Sequence, residues 1–246
     1  MSVKTTGAGR DSYILACAGV KGGVGKSTAA INLAVCVQQR FDRPVLLVDA
    51  NTAQGSASEW CNERILSELP PIERVLMQGN IKDALHRFRQ KYPVIIVDVG
   101  GYNGPELQSS LLAADQLLSP IRPAQFDVGT LDYMNRLVAE VRVYNPSLKA
   151  TVLINQASTH PQDTNTRRAA EAVAQQPELT LAETVWRMRK LYTTCAEVGA
   201  GVIEMASQKK SEQAGADEVL ALADELLPFA RRGTESVSAT VLPLRN

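Results

Sequence analysis

The sequence predicts an α/β fold: a three-layer sandwich, with a mostly parallel central sheet and helices on both faces. Three observations predict it. Four short runs are apolar throughout, as strands covered on both faces are: Tyr13 to Ala18, Pro44 to Asp49, Tyr92 to Val99 and Ala150 to Gln156. Stretches with helical spacing separate them, such as Leu131, Met134, Leu137, Val138 and Val141. The first apolar run also enters a glycine-rich turn that opens directly into a helix-like run, Ala29 to Gln39.

Bulk properties fit one such domain. A chain of 246 residues, 45% of them apolar, can build one sizeable α/β core. Lys and Arg number 26 and so do Asp and Glu, so no global charge draws the chain to nucleic acid; DNA binding would need a local patch. Cys17, Cys36, Cys61 and Cys195 are scattered, with no C-x-x-C pair, which argues against a zinc site and for reduced cytosolic thiols. No apolar stretch reaches the ~18 residues of a membrane span and no signal peptide opens the chain, so a cytoplasmic location is expected.

Residues 1–11 are polar and read as a flexible tail. The glycine-rich turn is Val20-Lys21-Gly22-Gly23-Val24-Gly25-Lys26-Ser27-Thr28. Strand, glycine loop and helix together make a phosphate site of the P-loop NTPase type. Backbone N–H groups turn inward as an anion nest, and the helix adds its positive end. Lys26 supplies a point charge for the β/γ-phosphates of ATP, and the Ser27 hydroxyl is placed to ligate Mg²⁺. The strict pattern G-x-x-x-x-G-K-[ST] fails at its first glycine, which is Val20. What remains is K-G-G-V-G-K-S-T, with a second lysine, Lys21, inside the loop.

That variant loop resembles the deviant Walker A of the ParA/MinD family of ATPases, and the resemblance covers roughly Ser12 to Phe229. It implies that Lys21 reaches across a homodimer to the partner's ATP. It also implies non-specific DNA as a ligand, a ParB-like adaptor that stimulates hydrolysis, and a nucleoid-associated protein that segregates DNA or positions a cargo. A MinD-like membrane-associated regulator is the alternative, weighed down by the lack of a basic amphipathic C-terminal helix. A dethiobiotin synthetase-like enzyme is a third.

The remaining elements follow in order. Asp49 closes the second apolar run, at the strand end where open α/β sheets bind ligands; a turn aspartate is the plainer alternative. Asn51 stands where the family has a second aspartate that positions the attacking water. An amide accepts no proton and carries no charge, so ATP binding and dimerisation with slow hydrolysis are expected. Gln54 plausibly matches the family's glutamine, and residues 65–90 read as a linking segment followed by a helix around Ile81, Leu85 and Phe88.

Asp98 ends the third apolar run and reads as the Walker B acid that binds Mg²⁺. Gly100-Gly101 after it resembles the family's switch turn, with a glycine in place of proline and added mobility expected. Helices are predicted over 107–114, 129–143, 166–175 and 216–229, strands over 115–121 and 150–156, and a short edge strand over 181–185. Asn155 can offer a donor and an acceptor to a base edge, a contact the resemblance also implies, or is simply a turn asparagine. Arg187, Arg189 and Lys190 are the DNA-binding candidates, with Arg167, Arg168, Lys209 and Lys210 as second choices; a solvated face is the alternative for each. The expected organisation is one ATPase domain over 12–230 and a second flexible tail over 231–246.

Overall fold

The computed structural model describes residues 12–51, 55–101, 103–123, 130–160 and 162–229. Both expected tails, together with Gln54 and the predicted start of the 129–143 helix, lie outside the described residues. The elements are β1 (Tyr13–Cys17), α1 (Lys26–Arg40), β2 (Val45–Ala50), α2 (Ser56–Leu66), β3 (Glu73–Leu76), α3 (Lys82–Phe88), β4 (Val94–Val99) and α4 (Pro105–Ala113). There follow β5 (Gln116–Ile121), α5 (Leu131–Arg142), β6 (Lys149–Ala157), α6 (Asn165–Ala174), β7 (Thr180–Arg187), α7 (Lys190–Glu197), α8 (Val202–Met205) and α9 (Lys210–Leu226).

The strands form one seven-stranded sheet, β3-β2-β4-β1-β5-β6-β7, and every pairing is parallel. The apolar runs are explained by what covers them. Leu15, Leu47, Ile96 and Leu153 pack into a core with α1, α2 and α7–α9. Their strand neighbours Ile14, Leu46, Val48, Ile95 and Val97 pack into a second core with α3–α6. Successive side chains point to opposite faces, so a strand with helices above and below must be apolar at each position. The chain runs from β1 to β2 on one side, returns to β4, then crosses β1 to reach β5. A crevice therefore opens at the carboxyl ends of β1, β2 and β4, where such sheets bind ligands.

Four local expectations change. The segment read as a linker contains an edge strand, β3, whose Glu73-Arg74-Val75-Leu76 is neither continuous nor alternating and is nowhere fully buried. Helix α2 was not foreseen; its apolar positions are few and it starts from Gly55, at a positive φ of 62°. Helix α9 begins at Lys210 rather than Ala216, through an exposed polar first turn. The edge strand β7 runs on to Arg187 and buries Trp186 completely, which removes that ring from the basic surface run.

Candidate functional site

The loop between β1 and α1 is built on two left-handed glycines, Gly23 at φ 73° and Gly25 at φ 96°. Side chains with a Cβ rarely adopt that region. At Gly25 a Cβ would also collide with the Asn155 amide nitrogen. Gly25 is the N-cap of α1, and no side chain caps the helix. The first-turn amides are thus left to serve a ligand. Lys26 is buried, and its Nζ donates to the Lys21 carbonyl at 2.6 Å. Burial lowers the ammonium pKa, with Asp98 pulling it partly back up. Val24 points into the protein; Lys21, Ser27 and Thr28 are half-buried and Gly22 and Gly23 exposed.

The turn after β4 lies directly on this loop. A Cβ on Gly101 would sit 2.7 Å from the Gly22 nitrogen and 2.8 Å from the Lys21 carbonyl carbon. The second glycine of the Gly100-Gly101 pair therefore has a packing reason, where the sequence suggested mobility.

The two strand-ending acids are register partners: Asp49 on β2 opposes Asp98 on β4, which in turn opposes Cys17 on β1. Their surroundings differ. Asp49 accepts from the Asn51 amide at 3.0 Å, the Ser58 amide at 2.9 Å and the Ser58 hydroxyl at 2.6 Å. Ser58 lies in the first turn of α2, so Asp49 caps that helix from the neighbouring strand. Asp98 is wholly buried, and neither carboxylate oxygen has a hydrogen-bond partner. Burial pushes its pKa up to about 7; the nearby Ser27 hydroxyl and Lys26 pull it down while Asp49 raises it further. The Ser27 hydroxyl thus acts on Asp98 by proximity without a formed hydrogen bond. A buried carboxylate with two orphan oxygens beside a serine hydroxyl suits a hard cation with oxygen ligands, so Ser27 and Asp98 fit Mg²⁺.

A cavity of about 760 Å³ adjoins the loop, lined among others by Gly25, Lys26, Ser27, Thr28, Asn51 and Gln156. Asn51 is 4% exposed, and its carbonyl accepts from the Gly55 amide at 2.8 Å. It stands on the cavity wall beside the loop, where a water-positioning residue would be. Asn155, expected to face a base, is instead joined to the loop: its Nδ2 donates to the Val24 carbonyl at 2.8 Å and its Oδ1 accepts from the Gln156 amide at 2.9 Å. Ser58 and Gln156 were missed in the sequence. A serine one turn into a helix after an acid-ended strand was the available signal for the first; no local signal marks the second.

The DNA-binding candidates lie away from this cluster, at the end of β7 and the start of α7. Arg187 is exposed and donates to the Ser158 carbonyl at 2.7 Å; Lys190 is exposed. Arg189 is engaged in the fold: its Nε and Nη2 reach the Glu218 carboxylate at 3.1 and 2.5 Å, with side chains 15% and 13% exposed. Glu218 also accepts from the Arg187 amide and the Tyr192 hydroxyl. Among the second choices, Arg167 pairs with Glu171 and Lys209 with Glu212, both exposed. Among the described residues no helix is long and apolar enough to cross a membrane.

Comparison with known proteins agrees with this geometry. Residues 15–195 match the family model for the CobQ/CobB/MinD/ParA nucleotide binding domain. The maintenance of carboxysome distribution protein A of Halothiobacillus neapolitanus is 25% identical over 229 residues, covering 90% of this chain and 99% of that protein. Among solved structures, the septum site-determining protein MinD of Pyrococcus horikoshii, complexed with Mg-ADP, superposes with a TM-score of 0.68 at 16% identity, over 92% of this chain and 99% of that one. A plasmid partition protein from Borrelia burgdorferi bound to AMPPNP gives 0.63 at 18%, over 85% and 97%.

Proposed function

The chain belongs to the CobQ/CobB/MinD/ParA family of nucleotide-binding domains, and from that premise we propose a ParA-type ATPase that loads ATP with Mg²⁺ in the 20–28 loop and closes over it as a homodimer. The observation that carries this is the pairing of Lys21 with Lys26 in a loop whose neighbouring acid, Asp98, is buried with both oxygens orphaned. One lysine is enough to hold the phosphates of a monomer; a second in the same loop has work to do when a partner's nucleotide is near.

Each residue has a role in that proposal. Gly22 to Gly25 and the first turn of α1 present amides to the phosphates. Lys26 leaves the Lys21 carbonyl to meet the β/γ-phosphates, so its present hydrogen bond holds it in place until ligand arrives. Ser27 and Asp98 hold Mg²⁺, which when bound supplies positive charge against the phosphate oxygens. Asp49 fixes the start of α2 and thereby the segment bearing Asn51. Asn51 holds a water by hydrogen bonding alone, so hydrolysis is slow; catalysis at such sites is positioning and electrostatics.

The ATP dimer then doubles a weak basic surface, Arg187 and Lys190, into one that holds DNA phosphates without sequence preference. Cargo positioning on the nucleoid, with an adaptor that stimulates hydrolysis, is favoured over other outcomes by the near full-length match to a carboxysome distribution protein. Light scattering with ATP and Mg²⁺ tests the core of the proposal. The wild-type chain is expected to shift from monomer to dimer, and Lys21→Ala to stay monomeric while still binding nucleotide. A dimer formed equally well by Lys21→Ala removes the role of that lysine.

A further inference from the structure

The loop that would hold the phosphates is gripped from the end of β6 by two successive side-chain amides. The Asn155 Nδ2 donates to the Val24 carbonyl at 2.8 Å, and the Gln156 Nε2 donates to the Gly23 carbonyl at 3.2 Å. Asn155 is 5% exposed, and its Oδ1 is taken by the Gln156 amide. The fit is tight: a Cβ on Gly25 would collide with that same Nδ2. Gln156 adopts a left-handed backbone at φ 55°, which costs a non-glycine residue on the order of 1 kcal/mol. That conformation carries the side chain over Gly23 and into the cavity wall. Both acceptors are loop carbonyls, Gly23 and Val24, immediately before Gly25 and Lys26. A carbonyl held outward by a side-chain donor leaves the amides of the same peptides to face the other way, toward an anion.

We infer that Asn155 and Gln156 are positioning residues that hold the phosphate loop in its anion-binding shape, and that they act on the phosphate chain of the ligand and not on its base. The inference rests on the nucleotide reading above. With Oδ1 taken and one Nδ2 proton directed at Val24, Asn155 has a single amide proton left, too few to read both a donor and an acceptor on a base edge.

The test is equilibrium binding of ATP, GTP and inorganic tripolyphosphate, each with Mg²⁺. Asn155→Ala is expected to weaken all three by one common factor, on the order of tenfold, because a buried carbonyl loses its donor. Gln156→Gly relieves the left-handed backbone and so keeps the fold; it is expected to weaken all three by a smaller common factor. Thermal melting of the ligand-free variants separates loss of folding from loss of affinity. If either variant loses ATP but keeps tripolyphosphate at wild-type affinity, the residue reads the base and the inference is overturned. Unchanged affinity for all three in Gln156→Gly overturns the clamp. A wild-type chain that binds none of the three overturns the nucleotide reading itself, and the inference with it.

Discussion

Two charges lie at zero exposure in this protein, and their surroundings are opposite. Arg64, late in α2, has its donors matched: Nε to the Pro70 carbonyl at 2.6 Å, Nη1 to the Gly199 carbonyl at 3.0 Å, and both Nη atoms to the Glu204 carboxylate at 2.8 Å. Its guanidinium also lies 5.2 Å from the Trp60 ring centroid. Asp98, at the end of β4, has no hydrogen bond on either oxygen. A buried charge that is fully matched belongs to the architecture. A buried charge left unmatched keeps its coordination capacity for something that arrives. Arg64 latches α2 to the turn before α8, while Asp98 waits at the crevice.

The largest expected effect breaks the matched side. Glu204→Ala leaves Arg64 buried without its counter-charge and should cost about 3–5 kcal/mol, read as a lowered urea midpoint. Replacing the pair together, Arg64→Met with Glu204→Leu, should recover most of that loss, since well-packed apolar residues replace buried ion pairs at little cost. If the single and double variants are equally unstable, the latch is packing and not charge.

The unmatched side should respond with the opposite sign. Asp98→Asn is expected to stabilise the magnesium-free chain above pH 7 by on the order of 2 kcal/mol, while abolishing magnesium-dependent nucleotide binding. The pH dependence sharpens this. The folded pKa is raised from 3.8 to about 7, so between those values the folded state holds a proton that the unfolded state has released. Stability from this group is therefore present at low pH and lost as pH rises through that window. Urea midpoints measured across pH 4 to pH 8 should fall more steeply for the wild type than for Asp98→Asn; parallel curves would sink the assignment.

Gly101→Ala probes the floor beneath Asp98. Its Cβ would meet the Lys21–Gly22 backbone, so a loss of about 1–3 kcal/mol is expected, with weaker ATP binding in a titration. The smallest effect concerns the half-matched charge, Arg189. Glu218→Gln should cost about 1 kcal/mol or less and raise ATP-dependent DNA retention at low salt by freeing the guanidinium. Retention unchanged in a gel shift would place the DNA surface elsewhere.

Legibility in the sequence followed the strength of local signals. The phosphate loop could be read because its conformation demands particular residues at fixed spacing: glycines where φ is positive, a lysine and a serine at the helix start. Strands β1, β2, β4 and β6 could be read because burial on both faces leaves no polar position. Strand β3 could not, since an edge strand with one covered face and four residues carries too little pattern. The basic run 186–190 misled for a related reason. Periodicity and charge do not say that Trp186 is wholly buried, or that Glu218, far along the chain, takes up Arg189.

By itself the sequence determined the layered parallel fold, the phosphate loop with its extra lysine, and the two strand-ending acids, because each depends on contacts within a few residues or on burial from both sides. Only the tertiary structure decided which acid is engaged and which is orphaned, and that Asn155 holds the loop from β6. Those outcomes depend on which strands become neighbours, and the crossing of β1 between β4 and β5 that makes them so is written in no local stretch of the chain.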